Sequence, residues 1–124
     1  MEVEFFSYRN LIAYKTARSL VVDVYGLLKN FPNEERYALC EQLRRAVVSI
    51  PSNIAEGMGR SSVKEQGHFI EIAFASLNET MCQIEIAKDL GYIKEDELIE
   101  IENKVVNVAQ LLSGLRRKRL TVKG

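Results

Sequence analysis

An all-α fold, an antiparallel up-down-up-down bundle of four helices, is what this sequence predicts, and three observations predict it. Apolar residues recur at spacings of three and four along nearly the whole chain, the period of a helix that buries one face. Only two prolines occur, Pro32 and Pro51, and no stretch alternates polar with apolar as a half-buried strand does. The links between periodic segments are short, which sets successive helices side by side and antiparallel. At 124 residues the chain is one domain, 1–124, large enough to bury about two-thirds of its unfolded surface without a disulfide or a metal. Residues 1–7 read as an N-terminal extension and 117–124 as a basic C-terminal tail.

The first helix is predicted from about residue 7 or 10 to residue 30, with Ala17, Leu20, Val21, Val24, Leu27, Leu28 and Phe31 as its apolar face. Pro32, in "NFPN", ends it because proline cannot continue the hydrogen-bond ladder, and Asn33 is the expected cap of the next helix. There Cys40, Leu43, Val47, Ile50 and Ile54 form one stripe. The stripe passes Pro51 without changing phase, so a single helix kinked at Pro51 is expected, ended by Gly57 and Gly59. The third helix opens with Ser62 and, three residues on, Glu65, a capping box. It keeps Ile70, Ala73, Leu77, Ile84 and Ala87 on one face and stops at Gly91 in a left-handed cap. Leu98, Ile101, Val105, Val108, Leu112 and Leu115 line the fourth, whose first position, Lys94, has no side-chain acceptor to cap it.

Composition narrows the function. No apolar run approaches the roughly 18 residues that span a bilayer, and "MEVEFFSYRN" is acidic where a signal peptide is basic, so a soluble cytoplasmic protein without membrane contact is expected. Cys40 and Cys82 stand among apolar neighbours and are expected as buried, reduced thiols. Glu65 and His68 have the E-x-x-H spacing of a di-iron ligand pair, but such a site takes two pairs and two further glutamates, and His68 is the single histidine. That same scarcity leaves no Ser/His/Asp or Cys/His arrangement. Glu95, Asp96, Glu97, Glu100 and Glu102 read as the acidic first turns of the fourth helix, where the dipole favours carboxylates. No catalytic residue, metal, cofactor or small-molecule substrate is expected; the chain does not read as an enzyme.

The stretch "RRAVVSIPSNIAEGMGRSS", residues 44–62, admits three readings. In the first, Pro51 frees the carbonyl of Val47, and Ser49, Ser52 and Asn53 supply polar groups to backbone left unpaired, with Glu56 and Arg60 paired across the helix end. In the second, Asn53 and Glu56 make hydrogen bonds across a subunit contact. In the third, the backbone after the glycines, with Arg60, Ser61, Ser62 and Lys64, holds an anion. Apolar residues beyond the stripes, Phe69, Phe74, Met81 and Ile86 on helix three with Leu39 and Val48 on helix two, serve either a wide core face or a subunit interface; Asn53, Glu56, Phe69, Phe74 and Met81 are the candidate interface residues.

Net charge is zero but uneven, with five Lys and Arg and no acid after residue 110. Arg116, Arg117, Lys118 and Arg119, followed by Lys123, form one candidate nucleic-acid patch, and Arg44, Arg45, Arg60 and Lys64 a second; phosphate binding strengthens with each neutralised contact. The plain alternative is a helix end whose cations complement its dipole. No aromatic residue is interleaved with either cluster for stacking on bases.

The runs "YRNL" (8–11), "FPNEERYALCEQLRRAVVSIPSNIAEGMGRSS" (31–62) and "FIEIAFASLNETMCQIEIAKDLGYI" (69–93) closely resemble the four-helix-bundle family named after the protein encoded in intervening sequences of bacterial 23S rRNA genes. The ordered motif within 44–59, "RRAxVSIPSNIAEG", is its most specific part. The resemblance implies a homo-oligomer, typically a ring-like pentamer, and a distant relative in the accessory protein of diversity-generating retroelements, which binds a reverse transcriptase and nucleic acid through a basic surface. The expected partners are therefore other copies of the chain and, as the alternative reading, RNA or DNA.

Overall fold

A computed structural model describes residues 5–120. A 3-10 turn, Ser7–Asn10, leads into α1 (Ile12–Leu28); a second, Asn33–Glu35, precedes α2 (Leu39–Met58), and α3 (Val63–Asp89) and α4 (Glu95–Leu120) complete the chain. Among the described residues each helix packs on its neighbours in sequence, α1 closes the square against α4, and the backbones of diagonal pairs stay apart. α2 and α3 make the most extensive of these contacts.

The predicted stripes meet along the axis. Leu20 and Val24 of α1, Leu43, Val47, Ile50 and Ile54 of α2, Ile70, Ala73 and Ile84 of α3, and Val108 and Leu112 of α4 are sealed from solvent. Full burial of each of the larger side chains favours folding by about 1.5–3 kcal/mol, enough to make burial rather than propensity decide which face of each helix turns inward. α2 runs uninterrupted through Pro51, which is itself buried.

The helix ends are closed by side-chain caps and by one glycine. Ser62 Oγ accepts the Glu65 N–H at 3.1 Å, as the capping box requires. Gly91 has φ +82°, and the Tyr92 N–H reaches the Ala87 carbonyl (2.9 Å) while the Gly91 N–H reaches that of Lys88 (3.0 Å), a Schellman closure. Asn33, by contrast, does not cap α2; it opens the 3-10 turn, and Ala38, with no side chain to offer, precedes Leu39. The cap comes from Glu35, whose Oε1 accepts the Leu39 N–H at 3.5 Å. A carboxylate four residues upstream thus does what the asparagine was expected to do. At α4, Lys94 contributes no side chain, but Glu97 reaches back to accept the Lys94 N–H at 2.8 Å, the second half of a capping box.

Glu35 has a further task. Its Oε2 accepts the Tyr92 hydroxyl at 2.7 Å, and the Tyr92 ring lies 5.2 Å from that of Phe31, so one carboxylate ties the α1–α2 connection to the α3–α4 turn. The hydrogen bond to Glu35, followed by desolvation, pushes the Tyr92 pKa from 10 up to about 12. A raised folded pKa stabilises the fold in full below pH 10, and that stabilisation disappears as pH climbs from 10 through 12. The melting temperature of wild type should therefore exceed that of Tyr92→Phe by a constant margin between pH 7 and 9, and the margin should shrink above pH 10 in melts followed by circular dichroism.

Candidate functional site

The stretch 44–62 does most of its work between α2 and α3. Asn53 Nδ2 donates to the Ser49 carbonyl (2.7 Å) and to Ser49 Oγ (2.8 Å), and Ser49 Oγ shares a 2.8 Å hydrogen bond with Ser76 Oγ of α3. Thr80 Oγ1 donates to the Ser76 carbonyl at 2.8 Å. Further along, Gln83 Nε2 donates to Gln42 Oε1 (3.4 Å) and Glu79 Oε1 (3.2 Å). Ser49 and Asn53 thus engage the Ser49 carbonyl and α3 rather than the Val47 carbonyl that the proline frees. Short side chains at 49 and 76 permit the close approach, and their hydroxyls satisfy each other once water is excluded.

Gly57 takes this approach to its limit. A Cβ there would stand 2.8 Å from Cβ of Phe69, so the residue is a contact point within α2, not its terminator; the helix ends one residue later, with Gly59 in a right-handed conformation at φ −84°. Glu56 and Arg60 pair at 3.0 Å, as their spacing suggests, because helical continuity holds to Met58. The Arg60 guanidinium lies 4.8 Å from the centre of the Phe69 ring, and Gln66 Nε2 donates to the Arg60 carbonyl at 2.9 Å. The turn before α3 is knit together by its own groups, which favours the architectural reading of the motif.

Asn53 and Glu56 therefore already have partners inside the chain. Phe69, Phe74 and Met81 are half-buried, Phe69 against Gly57, Phe74 and Met81 against the core. The large apolar residues that remain exposed lie elsewhere: Phe5 and Phe6 before α1, Ile12, Val22 and Tyr25 on α1, Tyr37 before α2, Val48 on α2, Ile86 and Leu90 at the end of α3, and Ile99 and Val106 on α4. The surplus apolar surface includes α1 and α4, which the spacing of stripes alone did not single out.

The basic residues regroup. Alternating helix direction brings the start of α1, the end of α2, the start of α3 and the end of α4 to one end of the bundle. Arg119 shows the convergence: its Nε donates to Gln66 Oε1 of α3 (3.2 Å) and Nη2 contacts Met58 Sδ of α2 (3.2 Å). Arg116 Nη1 pairs with Glu71 at 3.3 Å and its guanidinium lies 4.4 Å from the centre of the Phe74 ring. Among the described residues Arg60 and Lys64 thus join Arg116, Arg117, Lys118 and Arg119, together with Arg9, Lys15 and Arg18, against Glu56, Glu65 and Glu71. Arg44 and Arg45 do not join them. They sit about 20 Å away along α2 at 1.5 Å per residue, where Arg44 Nη2 donates to the Arg36 carbonyl (3.1 Å) and Arg45 pairs with Glu41 (3.0 Å). Glu34, Glu35, Glu85, Asp89 and the acidic run that opens α4 make that opposite end negative. A net-neutral chain is thereby polarised along its axis, and such separated charge steers charged partners over about a Debye length. Aromatic rings do lie beside the basic residues, contrary to the sequence reading, because α3 carries Phe69 and Phe74 beneath arginines that are distant in sequence. Lys123 lies outside the described residues.

Among the described residues no group of three or more His, Cys, Asp or Glu is placed to hold a metal ion. His68 is exposed and meets the Phe69 ring edge-on at 5.7 Å, while the Glu65 backbone serves the helix cap. Cys40 is buried, and that burial raises its thiol pKa. Cys82 is exposed rather than buried, since it falls on the outward side of α3. No helix among the described residues is long and apolar enough to cross a membrane.

A square antiparallel bundle of this kind, with polar groups sewn along helix seams and the larger share of its described cations at one end, defines a small four-helix-bundle protein. The chain belongs to the 23S rRNA-intervening sequence protein family, whose profile matches residues 9–114. Its fold is similar to that of a protein of unknown function from the S23 ribosomal protein family of Bacteroides thetaiotaomicron, known from a crystal structure, at a TM-score of 0.78 and 24% identity over 85% of this chain and 98% of that one. Among curated proteins none is significantly similar to it.

The approach of α2 to α3 has a measurable consequence. Gly57→Ala forces a methyl group against Phe69 Cβ, next to the backbone where little can yield, and should cost about 1–3 kcal/mol in stability, read from denaturant unfolding, although alanine is the better helix former.

Proposed function

We propose that the chain is a non-enzymatic cytoplasmic scaffold that assembles with copies of itself. The observation that carries this reading is the set of large apolar side chains left in solvent after the core is complete, Ile12, Val22, Val48, Ile86, Ile99 and Val106 among them; such surface lowers the free energy of a protein that covers it with another subunit. The reduced thiols suit a cytoplasmic setting.

A second reading, contact with RNA or DNA, is supported by the gathering of Arg60, Lys64, Arg116, Arg117, Lys118 and Arg119 at one end of the bundle. Assembly multiplies that end by the number of copies, and phosphate affinity grows with each counterion released. Both readings have direct tests. Multi-angle light scattering at micromolar concentration should return a multiple of the 14.1 kDa chain mass, and a monomer would refute the scaffold reading. In gel retardation with RNA and with DNA across a salt series, binding should weaken steeply with salt and should vanish in the triple variant Arg116→Ala, Arg117→Ala, Arg119→Ala while persisting in Arg44→Ala, Arg45→Ala. Absence of retardation at low salt would remove the nucleic-acid reading and leave the scaffold.

A further inference from the structure

We propose that the hollow where α2 gives way to α3, bounded by Arg60, Lys64, His68 and Phe69, binds a phosphate monoester, the terminal phosphate of a small phosphorylated molecule or of a nucleic-acid strand. The proposal stands apart from self-assembly and from the cations at the end of α4, since every group it uses belongs to one short stretch of one chain.

The hollow is open to solvent and holds about 610 Å³, lined by Arg60, Ser62, Lys64, Glu65, His68 and Phe69; sites for small molecules fall in the range of roughly 300–1,000 Å³. Phe69 organises it. Its ring lies 4.8 Å from the Arg60 guanidinium and meets the His68 ring edge-on at 5.7 Å, so one aromatic side chain, set against Gly57, holds two donors in the wall. Arg60 is fixed further by Glu56, whose Oε1 accepts from Nη2 at 3.0 Å, and by Gln66, which donates to the Arg60 carbonyl. A guanidinium has five N–H donors, so the bond to Glu56 leaves others for a ligand. Lys64 stands four residues before His68, which puts the two on the same face of α3.

The chemistry of the lining names the ligand. Arg116 and Arg119 at this end of the bundle are engaged by Glu71 and Gln66, whereas the side chains of Lys64 and His68 make no hydrogen bond or ion pair with any described residue. Among the described residues Glu65 is the one carboxylate that lines the hollow. A concave surface dominated by one sign of charge concentrates ligands of the other. The Glu65 N–H is already taken by Ser62 Oγ, so ammonium, imidazole and guanidinium are the donors on offer. A phosphate monoester brings about −1.5 to −2 charge and three acceptor oxygens on a single group, which suits three donors around one hollow. A phosphodiester strand spreads its charge along its length, which suits the row of cations on α4 better.

The test is NMR of the full isotope-labelled chain at neutral pH and constant ionic strength, titrated with inorganic phosphate, with adenosine monophosphate, and with a short oligoribonucleotide bearing or lacking a terminal phosphate. Inorganic phosphate and adenosine monophosphate should shift the amides of residues 62–68 saturably, and Lys64→Gln or His68→Gln should each raise the dissociation constant about three- to tenfold. Glu65→Gln, which keeps a residue type that a capping box accepts, should lower it. All three positions are exposed and glutamine is a good helix former, so circular dichroism should show helicity unchanged. Tighter binding of the oligonucleotide that bears the phosphate identifies a strand end as the source; binding of inorganic phosphate with neither oligonucleotide identifies a small molecule. Shifts that phosphate and added chloride produce alike, or that the Lys64 and Glu65 variants leave unaltered, would overturn the proposal, as would equally tight binding of both oligonucleotides at these amides.

Discussion

Each of the four helices carries one apolar stripe that has to leave water, and each packs beside its predecessor in the chain. That pair of constraints determines the rest. Burying the stripes that carry Leu20, Ile50, Ile84 and Leu112 in one core holds the helices side by side, and the short links set each antiparallel to its predecessor. Every later feature, from the pairing of hydroxyls across α2 and α3 to the sorting of charge, follows from helices that must alternate in direction while sharing one axis.

Alternation places helix starts beside helix ends, and the charge pattern along each helix does the sorting. α4 is acidic where it begins and basic where it ends, as its dipole favours. Set beside the starts of α1 and α3 and the end of α2, its basic terminus is reinforced by Arg9, Lys15, Arg18, Arg60 and Lys64, and its acidic start by Glu34, Glu35, Glu85 and Asp89. A chain with no net charge acquires two ends of opposite sign. Neutrality of the whole sequence therefore says little about how this protein meets a charged partner, whereas the direction of each helix says a good deal.

The motif spanning the end of α2 is best understood as architecture. Serine at 49, asparagine at 53 and glycine at 57 recur every four residues on the side of α2 that meets α3. They meet Ser76 by hydrogen bonds and Phe69 by direct apposition. Small residues bring the helices together; hydroxyl and amide groups keep the resulting buried polar atoms satisfied. Gln83 is the exception. Its Oε1 is buried without a hydrogen-bond partner, and nothing else in this interface explains it.

Residue order alone determined the four stripes, the passage of α2 through Pro51, the capping box at Ser62 and the left-handed turn at Gly91, since each rests on residues within a turn or two of one another. It also determined that Glu56 faces Arg60. Only the tertiary structure decided what depends on residues far apart: that Glu35 rather than Asn33 caps α2 while holding Tyr92, that Gly57 yields to Phe69, that Phe74 lies beneath Arg116, that Cys82 faces outward, and that Arg60 belongs with Arg119 and not with Arg45. The physical reason is one of range. Caps and stripes arise from interactions a few residues long, while the neighbours of a side chain across a seam are set by helix direction and register, which no single helix contains.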